Sequence, residues 1–197
     1  YYNLKNLILI DHAESPLYDI EQELKESNRT KKTVNPFCEL ANVKDRYRMD
    51  TIFDNYRPDI VYHAAAYKHV PLVESNVVEA AENNVLGTFF LASAAFEARV
   101  QSFVLISSDK AVRPANVMGA TKRCAEIIVQ DFADRASNNN SSQCFCSVRF
   151  GNVLGSAGSV IPRFREQIGR GGPVTVTHPD ITRYFMSLSE ATQLLLQ

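Results

Sequence analysis

The densest chemistry in the chain is Ser107-Ser108-Asp109-Lys110, directly after the apolar stretch Phe103-Val104-Leu105-Ile106. A hydroxyl, a carboxyl and an amine gathered at a strand's end can serve proton transfers on a bound substrate. The same residues also fit an N-cap followed by a surface turn. Further on, Met118-Gly119-Ala120-Thr121-Lys122 puts Met118 and Lys122 at i and i+4, on one helix face. Asp11 closes another apolar run, Leu7-Ile8-Leu9-Ile10. An acid there either caps the next helix or accepts the ribose hydroxyls of a dinucleotide, roughly 20 residues after a glycine-rich phosphate turn. Counting back that far passes Tyr1, and all eight glycines fall at Gly87 or later. On the second reading the phosphate turn is expected ahead of Tyr1. The loop Gly151-Asn152-Val153-Leu154-Gly155-Ser156-Ala157-Gly158 has the spacing of neither G-x-G-x-x-G nor a P-loop, and reads as a substrate-contacting turn.

These groups need a frame, and the apolar periodicity supplies one. Leu7–Ile10 reads as a strand buried on both faces, followed by Leu17, Ile20 and Leu24 at helical spacing. A strand is expected from Thr33 to Leu40. Met49, Ile52, Phe53 and Tyr56 follow i, i+3, i+4, i+7, a helix stopped before Pro58. Asp59 to His63 is a short strand opening into Ala64-Ala65-Ala66. A long helix is expected over Val78 to Ala98, a strand over Phe103 to Ile106, and a helix whose face carries Cys124, Ile127, Ile128 and Phe132. The polar loop Ser137 to Gln143 leads into a strand from Cys144 to Phe150. A helix around Ile161, Phe164 and Ile168, a strand at Val174 to Thr177 and a helix opened by Ser187-x-x-Glu190 complete the pattern. Strands alternating with helices predict an α/β fold, a doubly wound parallel sheet with helices on both faces. In such sheets ligands bind beyond the carboxyl ends of the strands, where Asp11, Ala64 and Ser108 fall.

Composition narrows the partners. The 197 residues carry 21 Lys+Arg against 22 Asp+Glu, which gives no reason to expect nucleic acid or an anionic membrane surface. With 45% apolar residues the chain is an ordinary globular one, and no run approaches the ~20 residues of a membrane span. Tyr1-Tyr2-Asn3-Leu4-Lys5 lacks the layout of a signal peptide. A soluble, cytoplasmic segment is expected. The four cysteines lack zinc-site spacing, and Cys144 and Cys146 are expected to share one strand face as small core residues, so no metal is expected.

Residues 107–123, Ser-Ser-Asp-Lys-Ala-Val-Arg-Pro-Ala-Asn-Val-Met-Gly-Ala-Thr-Lys-Arg, resemble the active-site segment of bacterial nucleotide-sugar 4,6-dehydratases, a branch of the extended short-chain dehydrogenase/reductases. Four further segments carry the same resemblance: residues 9–14, 62–71, 149–156 and 173–186. Together they run in order through nearly the whole chain. The resemblance implies a Rossmann-like NAD-binding core over residues 1–150, incomplete at its N-terminus, and part of a smaller nucleotide-sugar-binding region over 151–197. It implies a homo-oligomeric enzyme of surface polysaccharide biosynthesis that converts UDP-N-acetylglucosamine to a UDP-4-keto-6-deoxy sugar. The complete protein would be anchored at the cytoplasmic face of the inner membrane.

By the same resemblance Lys110 is the base for the C5 proton, Asp109 the acid at the departing C6 hydroxyl, and Ser108 a hydrogen-bond partner of the C4 oxygen. Lys122 would bond the nicotinamide ribose. Asp11 and His12 would lie at the adenosine ribose, Asn42 and Val43 near adenine, and Ala64, Ala65 and Ala66 close to the cofactor, with Asn84 steadying the sheet centre. Lys68 and His69 would face the sugar, and Arg149, Asn152 and Arg183 the uridine diphosphate. Two positions depart from the common pattern. The family commonly has Asp where Asn42 stands, and the superfamily's catalytic tyrosine is replaced by Met118. A thioether does no acid–base work at neutral pH, so an epimerase or reductase using that tyrosine is disfavoured.

Overall fold

A computed structural model describes residues 4–31, 34, 36–155, 160–176, 178–180 and 182–197, with backbone alone for 28–31. Strand β1 (Leu7–Asp11) passes through helix α1 (Glu14–Lys31) to β2 (Pro36–Leu40), which lies parallel to it with Leu7 opposite Pro36. Strands β3 (Ile60–His63), β4 (Ser102–Ser108) and β5 (Cys144–Phe150) form a second parallel sheet in the order β3-β4-β5. In its register His63 lies opposite Leu105 and Ser108 opposite Phe150, so the carboxyl ends of the strands lie together. This is the expected Rossmann-like α/β architecture.

The helices form where local chemistry specifies them. Asp45 caps α2 (Arg46–Tyr56) by accepting from Arg48 N–H at 3.0 Å. That helix ends on Arg57, which takes the left-handed conformation ahead of Pro58. After the short α3 (Val70–Ser75), α4 (Val77–Ala81) runs through a π-helical turn at Glu82–Leu86 into α5 (Gly87–Glu97). The expected long helix is therefore one rod with an i→i+5 segment inside it, a feature that apolar spacing does not reveal. Helix α6 (Val117–Asn138) starts under two caps: Asn116 Oδ1 accepts from Gly119 N–H at 2.8 Å, and Glu74 Oε1 from Val117 N–H at 2.7 Å. Met49, Ile52 and Phe53 of α2, Leu91 and Ala95 of α5, Phe103 and Leu105 of β4, Val129 and Phe132 of α6 and Phe145 of β5 make one core. Phe103, Phe145 and Phe132 stack within it, with centroids 5.4 and 5.8 Å apart.

Beyond residue 150, β6 (Asn152–Val153) pairs in parallel with β7 (Phe185–Met186), flanked by α7 (Val160–Gly169) and α8 (Leu188–Leu195). Ser187 and Glu190 form the expected capping box of α8.

Several expectations change. The strand expected from Thr33 begins at Pro36, and Thr33 lies outside the described residues. Val174 to Val176 is not a strand, because Thr175 bonds the Gln167 side chain of α7 through both its N–H and its hydroxyl rather than a neighbouring strand. Thr177 lies outside the described residues. Of the α1 positions only Leu17 is buried, with Ile20 exposed. On α6, Phe132 is buried and Ile128 packs against the core as expected, whereas Cys124 and Ile127 are exposed and Lys122, Ala125, Glu126 and Val129 also turn inward. Cys144 and Cys146 are exposed too, since Phe145 between them takes the core side of β5. Among the described residues no helix is long and apolar enough to cross a membrane.

Candidate functional site

A cavity of about 190 Å³ opens at the ends of β1 and β3, lined by Asp11 and His12, Ala41 and Val43, Ala64, Ala65 and Ala66, Tyr67 and Asn83. Asp11 Oδ1 accepts from Ala13 N–H at 2.8 Å, so the carboxylate caps its own turn while remaining half exposed at the cavity. The turn-capping reading of Asp11 therefore holds, and the carboxylate still borders the cavity. The three alanine methyls leave the wall after β3 low enough for a ligand to lie against backbone. Asn42 is absent from the lining; its side-chain oxygen closes a turn on Lys44 N–H at 2.9 Å.

Buried Asn84 anchors this wall. Its Oδ1 accepts from Tyr67 N–H at 2.8 Å, and its Nδ2 donates to Tyr67 C=O and to Thr121 Oγ1, both at 3.0 Å. One amide thus ties the loop after β3 to α6, from within the π turn. Thr88 Oγ1 donates to Asn84 C=O at 2.7 Å and lies 2.9 Å from His63 Nε2. Since the hydroxyl proton is committed, His63 donates through Nε2 and is neutral. Burial, helped by the Lys122 charge, pushes its pKa down to about 3.

The second group of residues stands at the end of β4. Ser108 Oγ donates to Asp109 Oδ1 at 2.9 Å and accepts from Lys110 N–H at 3.2 Å, capping a 3-10 turn at Asp109–Ala111. Lys110 Nζ lies 3.0 Å from the same Asp109 oxygen. Partial burial works against the Asp109 charge, but Lys110 and Ser108 outweigh it and hold the carboxyl below its ordinary range. Asp109 is therefore ionised, and an acid role first requires it to gain a proton. Gly119 makes the approach of α6 possible: a Cβ there would meet Lys110 C=O at 2.3 Å.

Lys122, 7% exposed, donates from Nζ to Ile106 C=O at 2.5 Å. Burial pulls its pKa down to about 8, against the opposing charge of Glu126. Glu126 is itself buried and accepts four bonds: from Ser107 Oγ at 2.6 Å, Arg149 Nε at 2.8 Å, Arg149 Nη2 at 2.7 Å and Arg123 Nη1 at 2.9 Å. Burial raises its pKa, but those donors dominate and bring it down to about 2. Arg149, expected at a phosphate, thus has its fork on a carboxylate of its own fold. Met118 is buried with Val73 and Ala80, where it packs α3 against α6.

Lys68 and His69 are exposed on the loop between the cavity wall and α3. Asn152 Nδ2 donates to Tyr184 C=O at 3.3 Å, and Arg183 Nη1 to the adjacent Thr182 C=O at 2.9 Å. Of the glycine-rich loop, residues 156–158 lie outside the described residues. Among the described residues no three His, Cys, Asp or Glu side chains form a metal-holding group.

Comparison with known proteins fits this layout. The family described as "Polysaccharide biosynthesis protein" matches residues 1–197. The chain belongs to that family. The capsular polysaccharide biosynthesis protein CapD of Staphylococcus aureus is 50% identical over all of this chain and 32% of its own length. A UDP-glucose 4-epimerase of Rickettsia canadensis is 37% identical over 97% of this chain and 58% of its own. The chain thus spans between about a third and somewhat over half of these curated relatives. Among solved structures, Pen from Bacillus thuringiensis superposes with a TM-score of 0.87 at 35% identity, covering 98% of this chain and 58% of that one. DesIV of Streptomyces venezuelae, a dTDP-glucose 4,6-dehydratase solved with NAD and TYD bound, shares the fold at a TM-score of 0.77 and 16% identity, covering 96% and 61%.

Within this family member, the sequence reading missed Glu126, Tyr67 and the His63–Thr88 pair. Glu126 did leave a signal, an acid four residues after Lys122 beside Ala125 and Val129 on an inward helix face. Tyr67 follows the alanine run directly, within residues 62–71.

Proposed function

We propose that this chain carries the NAD-binding and catalytic core of a UDP-N-acetylhexosamine 4,6-dehydratase serving surface polysaccharide synthesis. The observation that carries the reading is the hydrogen-bonded Ser108–Asp109–Lys110 group at the end of β4, with Lys122 beneath it and Met118 where a catalytic tyrosine would stand. The cavity suits NAD: an acid at a strand end for ribose hydroxyls, and a wall of alanines for close contact. Asp11, His12, Val43 and Ala64 to Ala66 would hold its adenosine half, with Asn84 fixing the wall and Lys122 on the nicotinamide ribose. Bound NAD supplies a reversible hydride acceptor at the sugar.

The chain's own groups handle the protons. The reacting form has Lys110 as the amine beside the Asp109 carboxylate. Ser108 orients the C4 oxygen, and Asp109 takes the C4 hydroxyl proton as the ketone forms. Lys110 then removes the acidified C5 proton. Asp109, now protonated, gives its proton to the departing C6 hydroxyl, and Lys110 returns its own to C5. The balance is loss of one water.

A second reading, a C4 epimerase, draws support from the Rickettsia relative. Met118 opposes it, for it lacks a titratable proton and is enclosed by Val73 and Ala80. The test is product analysis by NMR after incubating the full-length protein with UDP-N-acetylglucosamine. A 4-keto-6-deoxy sugar is expected; a C4 epimer without it overturns the assignment.

A further inference from the structure

Glu126 lies outside the proton-transfer scheme, yet its side chain accepts four hydrogen bonds beside the site. It is 4% exposed, and its four donors come from three elements: Ser107 on β4, Arg149 on β5 and Arg123 on its own helix. A buried carboxylate on which two guanidinium groups and a hydroxyl converge is worth more as a geometric constraint than as net stability. Ser107 precedes Ser108 on the strand, so anchoring its hydroxyl inward fixes the residue that presents Ser108 outward. One helical turn back, Lys122 takes the opposite part: a buried ammonium with a backbone carbonyl from β4 and a neutral His63 nearby from β3. Glu126 is the negative charge bearing on that ammonium, and Arg149 and Arg123 in turn moderate Glu126.

We propose that Glu126 is a positioning residue of this active site, locking the end of β4 through Ser107 and setting a buried carboxylate one helical turn from the buried Lys122. The proposal rests on the dehydratase reading for what Lys122 contacts, but not for the charge on Lys122 itself. Burial alone favours the neutral amine, and the opposing carboxylate returns Lys122 to a value near 8, close above neutrality. Removing the carboxylate shifts Lys122 toward the neutral amine at working pH. Removing Arg149 leaves Glu126 more negative in effect and shifts Lys122 the other way.

The experiment measures the NAD dissociation constant of the full-length protein against pH by calorimetry, together with kcat/KM for the sugar nucleotide. In the wild type both should weaken on an alkaline limb near pH 8. Glu126→Gln, which keeps the shape but trades one acceptor oxygen for a donor, should move that limb down by about one pH unit. Arg149→Gln should move it up, and Glu126→Asp should return it toward wild type. Limbs that stay together in all variants, or shift in the same direction in Glu126→Gln and Arg149→Gln, overturn the proposal. Should Glu126→Gln fail to fold, Glu126→Asp and Arg149→Gln carry the same comparison. Because the NAD limb needs no turnover, absence of a 4-keto-6-deoxy product sinks the dehydratase reading while leaving this test standing.

Discussion

Two adjacent serines divide the chemistry of β4. Ser107 points inward to a buried carboxylate with every donor satisfied, whereas Ser108 points outward to a half-exposed carboxylate sharing a proton system with Lys110. Each side has a hydroxyl, an acid and cationic partners, yet burial separates them. In the Glu126 group the charges are locked and carry geometry. In the Asp109 group the charges are wet enough to exchange protons and carry reactivity. A strand alternates its faces, so one residue of sequence separates scaffold from catalyst.

That division is broken most directly by paired substitutions. Lys110→Ala and Asp109→Asn should each lower turnover by roughly 10²–10⁴-fold while leaving the unfolding free energy within about 0.5 kcal/mol. Arg149→Ala should act the opposite way on stability, lowering it measurably, because Glu126 stays buried with fewer partners. Urea unfolding beside steady-state kinetics separates the two; a Lys110→Ala protein as destabilised as Arg149→Ala would erase the distinction.

Acid sharpens the contrast further. His63 has its folded pKa lowered to about 3, so its stabilisation is intact above its ordinary 6.5 and falls away as pH drops toward 3. Glu126, lowered to about 2, contributes above its ordinary 4.5 and is lost only toward pH 2. The two windows predict a first loss of stability of about 1.4 kcal/mol per pH unit between 6.5 and 4.5, owed to the histidine alone. His63→Gln, which keeps a donor toward Thr88, should flatten that first window and leave the second. Equal slopes for the two proteins over pH 6.5–4.5 in urea titrations would refute the assignment.

Much of the frame was legible in the sequence, for physical reasons. The runs Leu7–Ile10 and Phe103–Ile106 read as strands because central parallel strands are apolar on both faces, and Pro58 marked the end of α2. Asp11 and the alanine run were found because strand ends hold ligands in this fold, and the structure brings them into one cavity. What stayed hidden depends on long-range pairing. Periodicity drew the α6 face through Cys124, Ile127, Ile128 and Phe132; the last two meet the core, but hydropathy cannot foresee that Ser107 and Arg149, distant in sequence, bond Glu126 on the inward side. Cys144 and Cys146 failed for the related reason that alternation identifies two faces of β5 but not which one meets the helices. Val174 to Thr177 read as a strand, whereas at Thr175 Gln167 supplies the hydrogen bonds a strand partner would have given.

A smaller effect tests how Lys110 is held. The 2.3 Å approach to Lys110 C=O at Gly119 is to backbone, which cannot swing aside. Gly119→Ala must displace either α6 or the 3-10 turn, at a cost of about 1–3 kcal/mol. The same displacement should lower kcat more than it raises the sugar-nucleotide KM, because the moved segment carries reacting groups. A variant with wild-type kcat would show that the turn tolerates movement, and that its geometry is not what limits proton transfer.

The smallest expected effect lies at the cavity rim. Lys44 Nζ meets Glu79 Oε1 at 2.7 Å, and the Tyr67 hydroxyl reaches the same oxygen at 3.2 Å. Glu79 thereby links the loop carrying Val43 to the loop carrying the alanines, but at the surface, where screening leaves such pairs little net strength. Lys44 holds Glu79 below the ordinary carboxylate range against its desolvation, and Glu79 raises Lys44 in return. Glu79→Gln should therefore weaken NAD binding by no more than about five-fold at low salt, with the difference vanishing near 1 M salt. A larger, salt-insensitive loss would mean that the rim is desolvated when NAD is bound, and that it shares the locked character of the Glu126 cluster.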